Sequence, residues 1–149
     1  MRLGGFRAGR LLGFRIRIDY SWFVVLVLVT WTFARWQFPV DLPGRSQVTY
    51  LAMGFSGALL LFLSVLLHEL AHSFIAIRKG CRVREITLMF IGGVAKMEQI
   101  PRRPRDESLM AVAGPALSML LGVSSFLGGS RLLALGWRYF GTLFYLLGI

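Results

Sequence analysis

The sequence predicts a mainly α-helical membrane protein: a polytopic helical bundle with three full transmembrane helices, an incomplete fourth, and a small β-hairpin or sheet facing the cytoplasm. Composition is the first reason, because 56% of the 149 residues are hydrophobic and the mean hydropathy is +0.65. An ordinary soluble domain is less apolar. The second reason is that two uncharged runs, Ser46–Leu67 and Ser108–Ser130, have 22 and 23 residues and can cross a bilayer. We therefore expect residues 1–149 to form a single, incomplete domain in the cell membrane.

The N-terminal segment, residues 1–19, is basic and is predicted to end in a strand. It contains five arginines, and Phe14–Asp19 alternates apolar with charged side chains, as a half-buried strand does. No small-x-small cleavage site follows the next apolar run, so that run is interpreted as an uncleaved helix and not as a signal peptide. This first span, Tyr20–Ala34, has 15 uncharged residues, and Trp36–Val40 is expected to extend it along the membrane interface.

The second span is predicted to run from Gln47 to Ile77. A long basic loop follows, residues 78–107. Within it, Val83–Phe90 and Val94–Glu98 are predicted as two short strands around Gly92-Gly93, because paired glycines between apolar runs favour a hairpin.

The third span, Ser108–Ser130, contains Ala113-Gly114-Pro115 in its first third. This tripeptide either serves only as a helix kink or opens room beside a neighbouring helix. A short turn is predicted at Arg131–Arg138. The fourth apolar run, Tyr139–Ile149, has only 11 residues where about 20 are needed to cross, so we expect a re-entrant segment or, preferably, a chain that is cut short.

Charge predicts the orientation of the spans and excludes some functions. Lysine and arginine number 5 before the first span, then 2, 8 and 2 in the successive loops, so the N-terminus and the hairpin loop are expected in the cytoplasm. The net charge of +10 is explained by this bias and by contact with anionic lipid, and nucleic acid is not an expected partner. The single cysteine, Cys81, excludes an internal disulfide.

The second span contains three ionisable residues, His68, Glu69 and His72, in the pattern H-E-x-x-H. On a helix the two histidines share one face and can hold one zinc ion, and the glutamate beside them can take a proton from a zinc-bound water. A chance polar patch is the alternative. An acid at membrane depth costs about 2.5–3.5 kcal/mol on insertion scales, which favours a functional role. The sequence therefore predicts Zn²⁺ held by His68 and His72, with Glu69 as the general base of peptide-bond hydrolysis.

A catalytic zinc site normally has three protein ligands. His68 and His72 are the only histidines in the chain, so the third ligand is expected to be a carboxylate. Asp106 and Glu98 are conceivable, but both lie in the loop and would have to dip into the membrane. The missing ligand is expected among residues beyond Ile149.

Four motifs, in this order, resemble the site-2 protease family of intramembrane zinc metalloproteases, especially its prokaryotic branch that often carries CBS domains. They are RIDYSWF (Arg17–Phe23), LLHELAHSFIAIRKG (Leu66–Gly80), VREITLMFIGGVAKME (Val83–Glu98) and AVAGPALS (Ala111–Ser118). The resemblance implies the same roles for His68, His72 and Glu69, and a cytoplasmic hairpin that receives an unwound substrate strand. It also implies a third-ligand aspartate in a following helix, whose proline- and DG-containing motif this sequence does not contain.

The predicted function is hydrolysis of peptide bonds in or near the transmembrane segments of membrane-bound protein substrates. Two alternatives stay open: another membrane zinc protease that acts on lipidated termini, and a non-catalytic membrane scaffold or binding fragment. The expected partners are the lipid bilayer and a transmembrane protein substrate.

Overall fold

The computed structural model describes residues 4–11, 14–90, 92–97 and 103–148. Within these ranges the chain forms four strands and five α-helices. The strands are β1 (Gly5–Leu11), β2 (Phe14–Asp19), β3 (Val83–Met89) and β4 (Gly92–Met97). The helices are α1 (Ser21–Thr32), α2 (Phe38–Asp41), α3 (Gln47–Arg78), α4 (Pro104–Ala134) and α5 (Arg138–Leu147).

Three helical stretches in the described part of the chain are long and apolar enough to cross a membrane: Ser21–Asp41, Gln47–Arg78 and Pro104–Ala134. The three predicted spans are therefore confirmed. The first is extended as expected, because a π-helical turn, Phe33–Gln37, joins α1 to α2 without a break. The helix α5 has 10 residues and a length of about 15 Å, about half of what a span requires.

The turn predicted at Arg131–Arg138 is present but shorter than predicted, and the turn predicted at Gly92-Gly93 is wrong in position. Arg131 does not begin a turn, since α4 continues to Ala134. The turn comes at Gly136, which has φ +83°, a left-handed conformation that glycine adopts without a side-chain clash. Gly92-Gly93 is not the hairpin turn either. Both glycines begin β4, where they pair with Met89 and Leu88, so the chain reverses before them. Glu98, predicted as the end of this strand, lies outside the described residues.

The strands form one four-stranded sheet in the order β1-β2-β3-β4. The outer pairs are antiparallel hairpins, whereas β2 and β3 are parallel, with Ile16 opposite Ile86. The predicted strand Phe14–Asp19 is confirmed as β2, but β1 was not predicted. Its sequence, GFRAGRL, contains two glycines and lacks regular alternation. It forms a strand because β2 offers it a pairing edge.

The chain divides into two compact units. One combines the N-terminal segment as far as Val24 with Val65–Ser118; the other combines Val25–Ser64 with Met119–Ile149. The first unit contains the whole sheet, and its core forms where Ile86 of β3 packs against Leu70 of α3, with Leu66, Leu67 and Val83 around them. The core of the second unit consists of Phe38, Leu42, Met53 and Leu143. The H-E-x-x-H residues all belong to the first unit.

Candidate metal centre

The two histidines of the motif converge on one point. His68 and His72 lie one turn apart on α3, and their Nε2 atoms are 3.1 Å apart. The rings meet edge to face, with centroids 4.7 Å apart and an interplanar angle of 78°. A helix brings residues i and i+4 to the same face, which explains why the sequence spacing alone predicted this pair.

Each histidine has a partner for its other ring nitrogen, and both partners come from α4. His68 Nδ1 lies 2.8 Å from the hydroxyl oxygen of Ser118. His72 Nδ1 lies 2.6 Å from the backbone carbonyl oxygen of Met110. These contacts orient both rings so that the Nε2 atoms face each other. Neither partner was predicted, because both depend on how α4 packs against α3.

The close approach of α4 depends on Gly114, which lies midway between Met110 and Ser118. A Cβ atom at this position would lie 2.6 Å from His68 Nε2 and closer still to His72 Nε2. Real Cβ contacts do not fall below 3.0 Å. Of the two predictions for Ala113-Gly114-Pro115, this contact favours room beside a neighbouring helix. The two Nε2 atoms occupy the place that a side chain at residue 114 would take.

The third motif residue, Glu69, lies against the sheet. Gly93, the second residue of β4, has no side chain, and a Cβ there would overlap Glu69 Cγ and lie 2.9 Å from Cδ. The hairpin therefore places its backbone directly over the carboxyl-bearing side chain. This contact brings the hairpin next to the motif and requires glycine at position 93. At position 92 a Cβ atom would meet nothing within 4 Å, and glycine is favoured there by a φ of +130°.

The hairpin is also attached to the beginning of α1. Ser21 Oγ accepts a hydrogen bond of 3.2 Å from the backbone N–H of Phe90, the residue after β3. Asp19 in turn accepts a 3.0 Å hydrogen bond from the Ser21 backbone N–H and so caps α1. Hydrogen bonds from the side chain and backbone of Ser21 hold the pKa of Asp19 below its ordinary value of 3.8. This network connects the two hairpins of the sheet to the first span.

The histidine pair fits a zinc ion in its donor chemistry and spacing. Two nitrogen ligands of a tetrahedral zinc, each about 2.0–2.1 Å from the metal, are separated by about 3.3 Å, close to the observed 3.1 Å. The Met110 carbonyl at Nδ1 leaves Nε2 of His72 as the donor, which is the usual arrangement around metal-bound histidine. Among the described residues no group of three or more His, Cys, Asp or Glu side chains is assembled for a metal.

Of the two acids named as conceivable third ligands, only Asp106 lies in the described part of the chain, and it does not join the histidine pair. Asp106 forms an ion pair with Lys79, 2.6 Å from its Nζ atom, at the end of α3. Glu98 lies outside the described residues.

Known proteins resemble the chain along most of its length. The family model described as Peptidase family M50 matches residues 56–137. The protein sll0528 of Synechocystis sp. is 37% identical over 85% of this chain and 33% of its own length. Rip3 of Mycobacterium tuberculosis is 37% identical over 78% of this chain and 29% of its own. Both are named as zinc metalloproteases, and the chain spans about a third of their length.

A solved structure shares the fold. The site-2 protease from Methanocaldococcus jannaschii superimposes with a TM-score of 0.60 at 25% sequence identity, over 97% of this chain and 62% of that one. The matched family region contains the complete H-E-x-x-H motif and the Gly114 contact with it. The chain belongs to Peptidase family M50, the family of the site-2 proteases.

Proposed function

We propose that this protein is an intramembrane zinc endopeptidase in which His68 and His72 hold the metal and Glu69 is the general base. The observation that carries the proposal is the pair of Nε2 atoms 3.1 Å apart, next to a glutamate, in a helix that can cross a membrane. Membership of Peptidase family M50 supports the same chemistry.

The roles of the chain's own residues follow from their chemistry. His68 and His72 offer imidazole nitrogens, and Glu69 takes the proton of the attacking water and passes it to the leaving amine. Zinc, when bound, would supply a Lewis acid that acidifies water and polarises the scissile carbonyl. The backbone of β4 at Gly93 limits the space on one side of Glu69, which restricts the approach of substrate to the remaining sides.

Substrate class and orientation are further parts of the proposal. The substrates are membrane-bound proteins cut in or near a transmembrane segment, which must unwind because an intact helix hides its carbonyl groups. The N-terminus and the hairpin loop lie in the cytoplasm, supported by the excess of Lys and Arg on that side. The hairpin receives the unwound segment by pairing at a strand edge.

The third zinc ligand is proposed to be an aspartate outside the 149 residues of this sequence. Two observations support this: the chain spans about a third of its curated relatives, and Asp106 is paired with Lys79. The full-length protein is therefore the species to test, with any CBS region that it carries.

The test compares wild type with Glu69→Gln in the purified full-length protein, measuring bound zinc and cleavage of a transmembrane peptide. Glu69→Gln should abolish cleavage and leave zinc bound, because the amide keeps the shape but cannot accept the proton. Glu107→Gln is the matched control, since Glu107 is an exposed acid in the first turn of α4.

Three outcomes would contradict the proposal. Wild-type protein without zinc or cleavage indicates a scaffold. Cleavage confined to lipidated peptides indicates the other class of membrane protease. Full activity of Glu69→Gln would show that Glu69 is not the general base.

A further inference from the structure

We propose that Ser118 is a positioning residue for the metal: its hydroxyl holds His68 in the ring orientation and tautomer that present Nε2 to zinc. The inference rests on the proposed function, because it assumes that the His68–His72 pair binds zinc. It adds to that function by naming, for each histidine, the group on α4 that contacts its Nδ1 atom and orients its ring.

The two histidines have chemically different supports. His72 Nδ1 faces the Met110 carbonyl oxygen at 2.6 Å, and a carbonyl can only accept a hydrogen bond. His72 must therefore carry its proton on Nδ1, which leaves Nε2 with a free lone pair. The backbone of α4 thus fixes His72 as a donor to a metal.

His68 is not fixed in the same way. Its Nδ1 lies 2.8 Å from Ser118 Oγ, and a hydroxyl can donate or accept. With the hydroxyl donating, His68 carries its proton on Nε2, which can donate to His72 Nε2 across the 3.1 Å gap. With the hydroxyl accepting, the proton lies on Nδ1, and both Nε2 lone pairs face the same point. Two facing lone pairs repel unless a cation lies between them.

Zinc binding therefore selects the state in which Ser118 accepts. The serine hydroxyl is then free to donate to a helix carbonyl, as serine does elsewhere in this chain. Ser108 and Ser130 on the same helix donate to the carbonyl four residues earlier, at 3.0 and 2.8 Å. When the Ser118 hydroxyl accepts, His68 carries its proton on Nδ1 and presents the lone pair of Nε2 to the metal. The Met110 carbonyl gives His72 the same tautomer.

Three residues of α4 thus serve the histidine pair from one face of the helix. Met110, Gly114 and Ser118 are spaced by four residues, so they follow one another along that face. Met110 contributes a carbonyl, Gly114 contributes a position without a side chain, and Ser118 contributes a hydroxyl. Of these three contributions, only the Ser118 hydroxyl comes from a side chain, so Ser118→Ala would remove it.

The experiment measures zinc affinity by chelator competition on the purified full-length protein in detergent. Ser118→Ala should weaken zinc binding about 10- to 100-fold, the usual loss when the outer partner of a metal-bound histidine is removed. Ser118→Thr keeps the hydroxyl and should restore affinity to within about threefold of wild type. Ser130→Ala is the matched control on the same helix and should bind zinc like wild type, because its hydroxyl donates to the Phe126 carbonyl of its own helix.

The possible results separate this inference from the proposed function. Wild type that binds no zinc overturns both. Wild type and Ser118→Ala with equal zinc affinity overturn the role of Ser118 alone. Equal weakening by Ser118→Ala and Ser130→Ala also overturns it, since the loss would then reflect the helix and not the His68 contact. Circular dichroism and gel filtration of each variant identify any loss that comes from unfolding.

Discussion

Replacing Gly114 with alanine tests the contact between α4 and the histidine pair. The new Cβ would lie 2.6 Å from His68 Nε2, whereas ordinary contact begins at 3.4 Å. Either α4 or the imidazole rings must therefore move by about 0.8 Å or more, and the overlap with His72 Nε2 is larger still. Metal–ligand distances tolerate only about 0.2 Å of deviation. The substitution should consequently impair zinc binding more than folding.

The expected size of the effect follows from the cost of overpacking. Inserting a methyl group into a filled site costs about 1–3 kcal/mol. The rings can rotate away from the methyl group when no metal is present, but zinc requires both Nε2 atoms to face the occupied space. Most of the cost should therefore appear in binding, as a loss of zinc affinity of about 5- to 150-fold.

Gly128→Ala on the same helix is the matched control, because a Cβ there meets nothing within 4 Å. It should leave zinc affinity unchanged and increase stability by up to about 1 kcal/mol, since alanine favours the helix over glycine. Chelator competition gives the affinity and a thermal melt gives the stability of each variant. Wild-type zinc affinity in Gly114→Ala would refute the described approach of α4 to the histidines.

Three further changes test the surroundings of the pair. Gly93→Ala should displace Glu69, lowering the cleavage rate about tenfold or more while zinc affinity stays within about twofold, because a misplaced base slows chemistry without removing a ligand. Val94→Ala, at an exposed side chain of the same strand, is the control, and a wild-type rate in Gly93→Ala would contradict the contact. Asp106→Asn breaks the partly exposed ion pair with Lys79 and should cost about 0.2–1 kcal/mol in a thermal melt without loss of zinc; a loss of zinc would instead identify Asp106 as a ligand. Asp19→Asn should destabilise the protein at neutral pH. The folded pKa of Asp19 is below 3.8, so its stabilising effect is complete above about pH 4 and disappears as the pH falls through the folded pKa. Melts of both proteins should converge in acid, and a constant difference would be inconsistent with that low pKa.

Much of the fold follows from local pattern. The span Gln47–Arg78 was predicted to within one residue, because an uncharged run of membrane length has few alternatives to a helix. The strand Phe14–Asp19 was predicted from its alternation. The errors lie where a contact between elements overrides the local signal. Gly92-Gly93 has the composition of a hairpin turn, but Gly93 lies within β4. Its missing side chain leaves room for Glu69, which a Cβ at this position would overlap.

In the candidate site, too, relations within one helix were predicted and contacts between helices were not. The spacing of His68 and His72 is an intrahelical relation, so periodicity alone placed both rings on one face. Ser118 is the last residue of the AVAGPALS motif, and its contact with His68 does not follow from that motif. A possible signal was the four-residue spacing between Gly114 and Ser118, which places a small residue and a hydroxyl on one face of a span.

The sequence by itself determined that this chain has three membrane spans and a histidine–glutamate motif inside the second, because hydropathy and helical spacing are properties of neighbouring residues. Only the tertiary structure decided which groups contact that motif. They are a carbonyl and a hydroxyl of α4, the backbone of α4 at Gly114, and the backbone of β4 over Glu69. These groups lie 24 to 50 residues from the motif residues that they contact. Their contacts depend on how closely whole helices and strands can approach, which no local pattern specifies.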